Sequence, residues 1–123
     1  MLLSGRELDV LSVLWDRGSA TVSEVLEELQ DELAYTTILT ILRRLEEKGH
    51  VRHDPEGKAH RYFPLVDREE AQDSALHRIT RKLFRDSPEL LMSRLLRRGA
   101  LTEDQLRELR ELVDQRLKEK GEG

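Results

Sequence analysis

The sequence contains no cysteine and no asparagine, and only three prolines and 4% aromatic residues occur among its 123 positions. The absence of cysteine excludes disulfides, thiol redox sensing and thiolate sites for zinc or copper. No apolar run reaches about 18 residues, and no charged start precedes an apolar stretch and a small-residue cleavage site. The sequence therefore predicts no membrane insertion, no export and a cytoplasmic location.

Patterns typical of enzymes are missing as well. The chain has no glycine-rich nucleotide loop, no convergent pair of carboxylates and no Ser/His/Asp arrangement. His53 and His60 can face each other across a hairpin, but two histidines without a third ligand are more often polar surface than a metal site. We therefore expect a protein that is not an enzyme and that binds no metal and no cofactor.

The most informative stretch is AYTTILTILRRLEEKG, from Ala34 to Gly49. Its apolar residues recur at helical spacing, which predicts a helix over 36–48 with one narrow buried stripe. The other faces carry hydroxyls and guanidiniums, which reach phosphate oxygens and base edges in DNA. An amphipathic helix whose polar face meets only water is the alternative. The stripe consists of Ile38, Ile41, Leu42 and Leu45, and the candidate DNA contacts are Tyr35, Thr36, Thr37, Thr40, Arg43, Arg44 and Lys48.

The formal net charge of -4 is unevenly divided along the chain. Residues 34–63 hold six Lys/Arg against four Asp/Glu, with three histidines in addition, whereas residues 22–33 hold five acids and no base. DNA attracts a basic surface and repels an acidic one, so this division orients the molecule on a duplex.

Two helices are predicted before the basic one. Capping-box spacings at Ser4–Glu7 and Thr21–Glu24 open helices over about 5–17 and 22–31. The short link between them can form a stub of strand that pairs with a later hairpin.

A β-hairpin is predicted after the basic helix, because the apolar period changes there from 3.6 to 2. Pro55-Glu56-Gly57 supplies the turn residues. Three helices followed by a two-stranded hairpin make a winged helix-turn-helix, in which the hairpin tip lies along the phosphates. Further candidate DNA contacts at the tip or outer face of the hairpin are Arg52, Lys58, His60 and Arg61.

These segments carry a family resemblance. From about residue 3 to residue 117 the chain resembles the penicillinase-repressor (BlaI/MecI/CopY) family of bacterial winged-helix regulators. The resemblance implies an N-terminal winged helix that represses transcription as a dimer, with a C-terminal helical part that supplies the dimer contact. It is carried most specifically by Thr37, Ile38, Thr40, Arg44, Leu45, Lys48, Gly49, Tyr62 and Pro64.

The C-terminal half reads as three amphipathic helices, over about 68–85, from Pro88 to Gly99, and from Thr102 onward. Helices this short cannot bury three apolar stripes alone, so we expect them to form a homodimer. The alternative is that this half folds back on the winged helix. The expected dimerisation residues are Ile79, Leu83, Leu90, Leu91, Leu95, Leu106, Leu109, Leu112, Val113 and Leu117.

The sequence thus predicts a mainly α protein with a small β-hairpin, divided into a winged-helix DNA-binding domain over 1–66 and a helical dimerisation region over 67–123. The favoured function is a transcriptional repressor that binds a palindromic operator in double-stranded DNA as a homodimer. The alternative is a winged-helix protein-interaction module without DNA binding. A more apolar outward face on the third helix would favour the alternative.

The chain departs from the family in the signals that lift repression. The copper-responsive branch binds its metal through cysteine pairs, which this chain lacks. The β-lactam branch is cut at an Asn-Phe bond shortly before the last helix, and the corresponding bond here is about Arg94–Leu95. The resemblance therefore implies a membrane sensor-protease as a partner. The residues at the corresponding bond do not support this partner, because they are not Asn and Phe.

Overall fold

The computed structural model describes residues 2–29 and 33–122, which form six helices and one three-stranded antiparallel sheet. The chain divides into two compact units, one through His77 and one from Arg78 onward. A mainly α fold with a small hairpin is therefore confirmed. In chain order the elements are α1 (Gly5–Arg17), β1 (Ala20–Thr21), α2 (Val22–Leu29), α3 (Tyr35–Glu47), β2 (Val51–Glu56), β3 (Ala59–Pro64), α4 (Arg68–Leu83), α5 (Pro88–Arg97) and α6 (Glu103–Glu122).

Both predicted capping boxes begin their helices as expected. Ser4 Oγ accepts a hydrogen bond from the Glu7 N–H, and Glu7 Oε1 accepts one from the Ser4 N–H. Thr21 and Glu24 exchange the same two bonds at the start of α2. The predicted α2 end, at residue 31, lies outside the described residues.

The sheet joins the link between α1 and α2 to the hairpin, in the order β1-β3-β2. Ala20 pairs with Tyr62 and Thr21 with Arg61, so the predicted stub of strand is confirmed. The hairpin turn differs from the prediction, because Pro55 lies within β2 opposite His60. The connection is the two-residue loop 57–58, where Gly57 has φ 61° and provides the positive φ that such tight loops need. We call this hairpin, Val51–Pro64, the wing.

The core of the first unit lies where α1, α2, α3 and the sheet meet. The predicted stripe of α3 is buried there, and Val51 and Tyr62 of the wing cover it at 2% exposure each. Trp15 is at the edge of this core, where its indole Nε1–H donates to the Val66 carbonyl over 2.8 Å. The buried apolar residues include Val10, Leu11, Leu14, Ala20, Val22, Val25, Ile38, Ile41, Leu42 and Leu45.

The second unit consists of the end of α4 with α5 and α6. Ser87 Oγ caps α5 by accepting from the Leu90 N–H, and Thr102 and Gln105 exchange capping bonds at the start of α6. An apolar groove of about 550 Å³ opens in this unit. It is lined by Met92, Leu96, Leu106, Leu109, Arg110, Leu112, Val113, Arg116, Leu117 and Lys120. No helix in the described part of the chain combines the length and apolar character that a bilayer crossing requires.

Candidate nucleic-acid interface

The side of α3 turned away from the core is polar and exposed. We call its exposed residues Tyr35, Thr36, Thr37, Thr40, Arg43 and Arg44 the α3 outward face. Within residues 2–29 and 33–122, neither arginine forms an ion pair. Two guanidiniums, each able to donate a pair of hydrogen bonds to guanine, are therefore free beside methyl-bearing hydroxyls.

Lys48 ends α3 but is engaged elsewhere. Its Nζ lies 2.8 Å from Oε2 and 3.0 Å from Oε1 of Glu7, near the start of α1. The Glu7 side chain is 7% exposed, so this is a largely buried carboxylate with a charged partner. The ammonium of Lys48 is thus engaged by Glu7, whereas the sequence had grouped Lys48 with the side chains that contact DNA.

The wing carries the other predicted cations in two different environments. Lys58 occupies the exposed loop at the tip, with no ion pair among the described residues, and His60 is exposed on β3. Arg52 donates to Asp54 over 2.9 Å and lies 4.2 Å from the centre of the Phe63 ring. Of these residues, Lys58 has the side chain most available to a phosphate.

Arg61 is held by acids on two elements. Its Nη1 lies 3.0 Å from Glu24 Oε1 in α2, and its Nη2 lies 2.9 Å from Glu56 Oε2 in the wing. Arg17 of α1 reaches the other oxygen of Glu24 over 2.7 Å. Arg61 therefore ties the wing to α2, and like Lys48 it is neutralised within the fold.

His53 and His60 do come together, as the hairpin prediction allowed. Their ring centroids are 4.5 Å apart, and His53 Nδ1 lies 2.6 Å from Glu46 Oε2 on α3. In the part of the chain that the structure describes, no three His, Asp or Glu side chains are arranged to hold a metal ion. Through Glu46, His53 links β2 to the end of α3.

The pKa values of two carboxyl groups and one phenol are shifted by their surroundings. Burial raises the pKa of Glu7, but hydrogen bonds from Lys48 and Ser4 outweigh it and hold that pKa below 4.5. The backbone bond from Thr21 and the charges of Arg61 and Arg17 lower the pKa of Glu24. Burial raises the pKa of Tyr62, with a smaller contribution from Glu46. Glu7 and Glu24 are thus ionised groups built into the fold.

Glu7 and Glu24 were predicted from the sequence as helix caps only, and the structure gives both a second role. Each capping carboxylate also binds a cation more than 35 residues later in the chain, Lys48 and Arg61 respectively. The capping hydrogen bonds alone explain why a glutamate stands three residues after Ser4 or Thr21. The capping-box spacing therefore gives no indication that the glutamate also pairs with a distant cation.

Three helices followed by the wing define a winged-helix protein, and its third helix carries exposed cations. A model of the penicillinase repressor family matches residues 3–115, so the chain belongs to that family.

Two relatives and one solved structure illustrate the similarity. The chain is 26% identical over 122 residues to the penicillinase repressor of Bacillus licheniformis, covering 98% of this chain and 95% of that protein. It is 41% identical over 71 residues to the transcriptional regulator BlaI of Mycobacterium tuberculosis, covering 55% of this chain and 51% of that one. The solution structure of the DNA-binding domain of the repressor BlaI matches with a TM-score of 0.51 and 36% identity, covering 55% of this chain and 85% of that chain.

Proposed function

We propose that this protein is a cytoplasmic, non-catalytic transcriptional repressor that binds a palindromic operator in double-stranded DNA as a homodimer. The observation that carries the proposal is the α3 outward face, where Arg43 and Arg44 are exposed and unpaired among the described residues. A relative that matches nearly the whole chain is named as a penicillinase repressor, and a similar solved structure is named as the DNA-binding domain of the repressor BlaI. Residues 1–66 bind DNA in this proposal, and residues 67–123 hold the dimer together.

The proposed contacts divide into two kinds. Arg43 and Arg44 reach base edges in the major groove, and the threonine hydroxyls and methyl groups contact the bases and phosphates beside them. Lys58 at the wing tip contacts the adjacent phosphates without reading sequence. This division predicts that a change in α3 alters specificity, whereas a change at the wing tip alters affinity for every sequence.

The dimer is proposed from the apolar surface of the second unit. Leu112 is 57% exposed, Leu117 63% and Leu83 68%, although all three have the helical spacing of buried residues. The groove beside α6 has the apolar lining that a second copy of the same helices would cover. Two copies would also present two α3 helices to the two halves of a palindrome.

The second candidate function, a protein-interaction module without DNA binding, has less support. A docking surface for protein is expected to be apolar at its centre with few charges. The α3 outward face instead carries three threonines and two arginines beside a single aromatic residue, Tyr35.

A selection from random DNA tests the proposal. The protein is incubated with duplexes of about 30 base pairs, enough for two half-sites, and the bound fraction is amplified and sequenced. We expect an inverted repeat to be enriched, and its gel shift to weaken steeply between about 50 and 200 mM salt. Failure to enrich any sequence, with no salt-dependent shift on genomic fragments, would overturn the proposal.

Release from the operator is proposed to follow cleavage between Met92 and Leu101. The Arg94–Leu95 bond lies inside α5, whereas residues 98–102 form the non-helical connection to α6. Cleavage in this segment separates α6 from the DNA-binding unit, whichever protease, including a membrane sensor-protease, performs it. An immunoblot of producing cells during induction tests this step: a fragment of about residues 1–94 supports it, and an intact chain contradicts it.

A further inference from the structure

Lys48 is fixed at both its backbone and its side chain. Its N–H donates to the Arg44 carbonyl over 3.0 Å, and the following Gly49 has φ 81° and donates to the Glu46 carbonyl. Its Nζ meets both Glu7 oxygens, and the Leu2 carbonyl lies 3.5 Å away. The residue that closes α3 is therefore attached to the first turn of α1.

The apolar stripe of α3 does not by itself define the position of the helix. Hydrophobic contacts are non-directional, so they constrain a small rotation or slide of α3 less sharply than a hydrogen bond does. A charged hydrogen bond has a required distance and angle, which a slide of the helix would break. The Glu7–Lys48 pair supplies this directional constraint at the C-terminal end of α3.

The constraint acts on the side chains that face DNA. Arg44 precedes Lys48 by one helical turn, so the two occupy the same flank of α3. On β2, His53 holds Glu46 over 2.6 Å. The C-terminal end of α3 is thus tied to α1 through Lys48 and to the wing through Glu46.

We propose that the Glu7–Lys48 pair is a positioning device that sets the rotation and register of α3, and that Lys48 makes no contact with DNA phosphate. The inference rests on the proposed function, because it concerns how α3 is presented to the operator. It assigns specificity to two residues, Glu7 and Lys48, that do not touch the bases.

The test compares Lys48→Met, Glu7→Gln and the double variant with Lys58→Met at the wing tip. Each full-length protein is titrated with the duplex that the wild-type protein enriches and with a scrambled duplex of equal length. The titrations are repeated across salt concentrations, since removing a cation that binds a phosphate flattens the slope of log K against log salt by about 0.9 for each subunit of the proposed dimer.

A positioning role predicts a loss of specificity at constant salt slope. Both single variants and the double variant should bind the enriched duplex about tenfold more weakly, comparable to removal of one base-reading side chain. Their affinity for the scrambled duplex should change by less than about twofold. The double variant should lose no more than either single variant, because both changes break the same pair. Lys58→Met should instead weaken both duplexes and flatten the slope.

A phosphate contact by Lys48 predicts the opposite pattern. Glu7→Gln would free the ammonium and raise affinity for both duplexes, and Lys48→Met would flatten the salt slope as Lys58→Met does. That pattern overturns the inference while the proposed function stands, whereas a wild-type protein that enriches no sequence overturns both.

If a neutral variant does not fold, as judged by circular dichroism, Lys48→Arg is titrated in its place. It retains the charge but changes the geometry of the pair. A positioning role predicts a loss of specific binding for Lys48→Arg at an unchanged salt slope. Retention of both affinity and specificity would contradict the inference.

Discussion

Arg61 in the wing and Glu24 in α2 form an ion pair in which Nη1 and Oε1 are 3.0 Å apart. Both side chains are 26% exposed, and each has a second partner of opposite charge, Glu56 for Arg61 and Arg17 for Glu24. An isolated surface pair contributes little to stability, but a partly buried network contributes more. This network connects the wing to α1 and α2.

Arg61→Met should therefore destabilise the first unit. We expect the free energy of unfolding to fall, because Glu24 and Glu56 lose a shared cation. Urea unfolding followed by circular dichroism measures it. Asp54→Asn is the matched control, since it breaks an ion pair within one strand whose acid is 59% exposed, and it should cost less than about 0.5 kcal/mol. Equal losses for the two variants would show that the network adds nothing.

The Glu7 carboxyl makes stability depend on pH. Its pKa in the folded protein lies below its ordinary value of 4.5, so its ionised form stabilises the fold above pH 4.5. That contribution is lost as the pH falls from 4.5 through the lower, folded pKa. Glu7→Gln should accordingly be less stable than wild type at pH 7, with the difference shrinking in acid. Urea titrations at several pH values check this, and a difference that stays constant down to pH 3 would contradict it.

Arg44→Ala should remove direct base readout. Losing a guanidinium from the α3 outward face should cost about 1–3 kcal/mol on the enriched duplex and relax the sequence requirement at one position in each half-site. Lys58→Ala is the comparison, because it should weaken all sequences alike. Binding to single-base variants of the duplex measures both effects, and identical profiles for the two proteins would refute the division into reading and phosphate contacts.

Leu109→Asp should separate the proposed dimer. Leu109 lines the groove beside α6, and a carboxylate there would be buried without a partner at the interface. Sedimentation should show monomers, and circular dichroism should show that the helices of the first unit are retained. Gln115→Asp places the same charge at an exposed position of α6 outside the groove and should leave the dimer intact. A dimer that survives Leu109→Asp would remove the groove from the interface.

The local patterns of the sequence predicted most of the fold. Capping boxes at Ser4 and Thr21 located the starts of α1 and α2, and the stripe that includes Ile38 and Leu42 located α3 and its buried side. These features depend on contacts between residues that are close in sequence, which periodicity and capping rules describe.

The partners of the cations were not predictable in the same way. Lys48 and Lys58 are both lysines in a basic segment, yet one neutralises Glu7 and the other is exposed at the wing tip. The difference arises because packing brings α1 against the end of α3, a contact across 41 positions of sequence. The hairpin turn was misplaced for a local reason: Pro55 fits β2 opposite His60, and Gly57 supplies the positive φ of the two-residue loop 57–58.

A hydroxyl-radical footprint of the wild-type protein on its enriched duplex is the most direct test of DNA reading by a homodimer. Two copies that each place α3 in the major groove should protect two equivalent patches, related by the dyad of the sequence. Their centres should be about 10 base pairs, or a multiple of that, apart on one face of the duplex. Protection of a single asymmetric patch, or no protection at concentrations that saturate a gel shift, would contradict the claim that a homodimer reads a palindrome through α3.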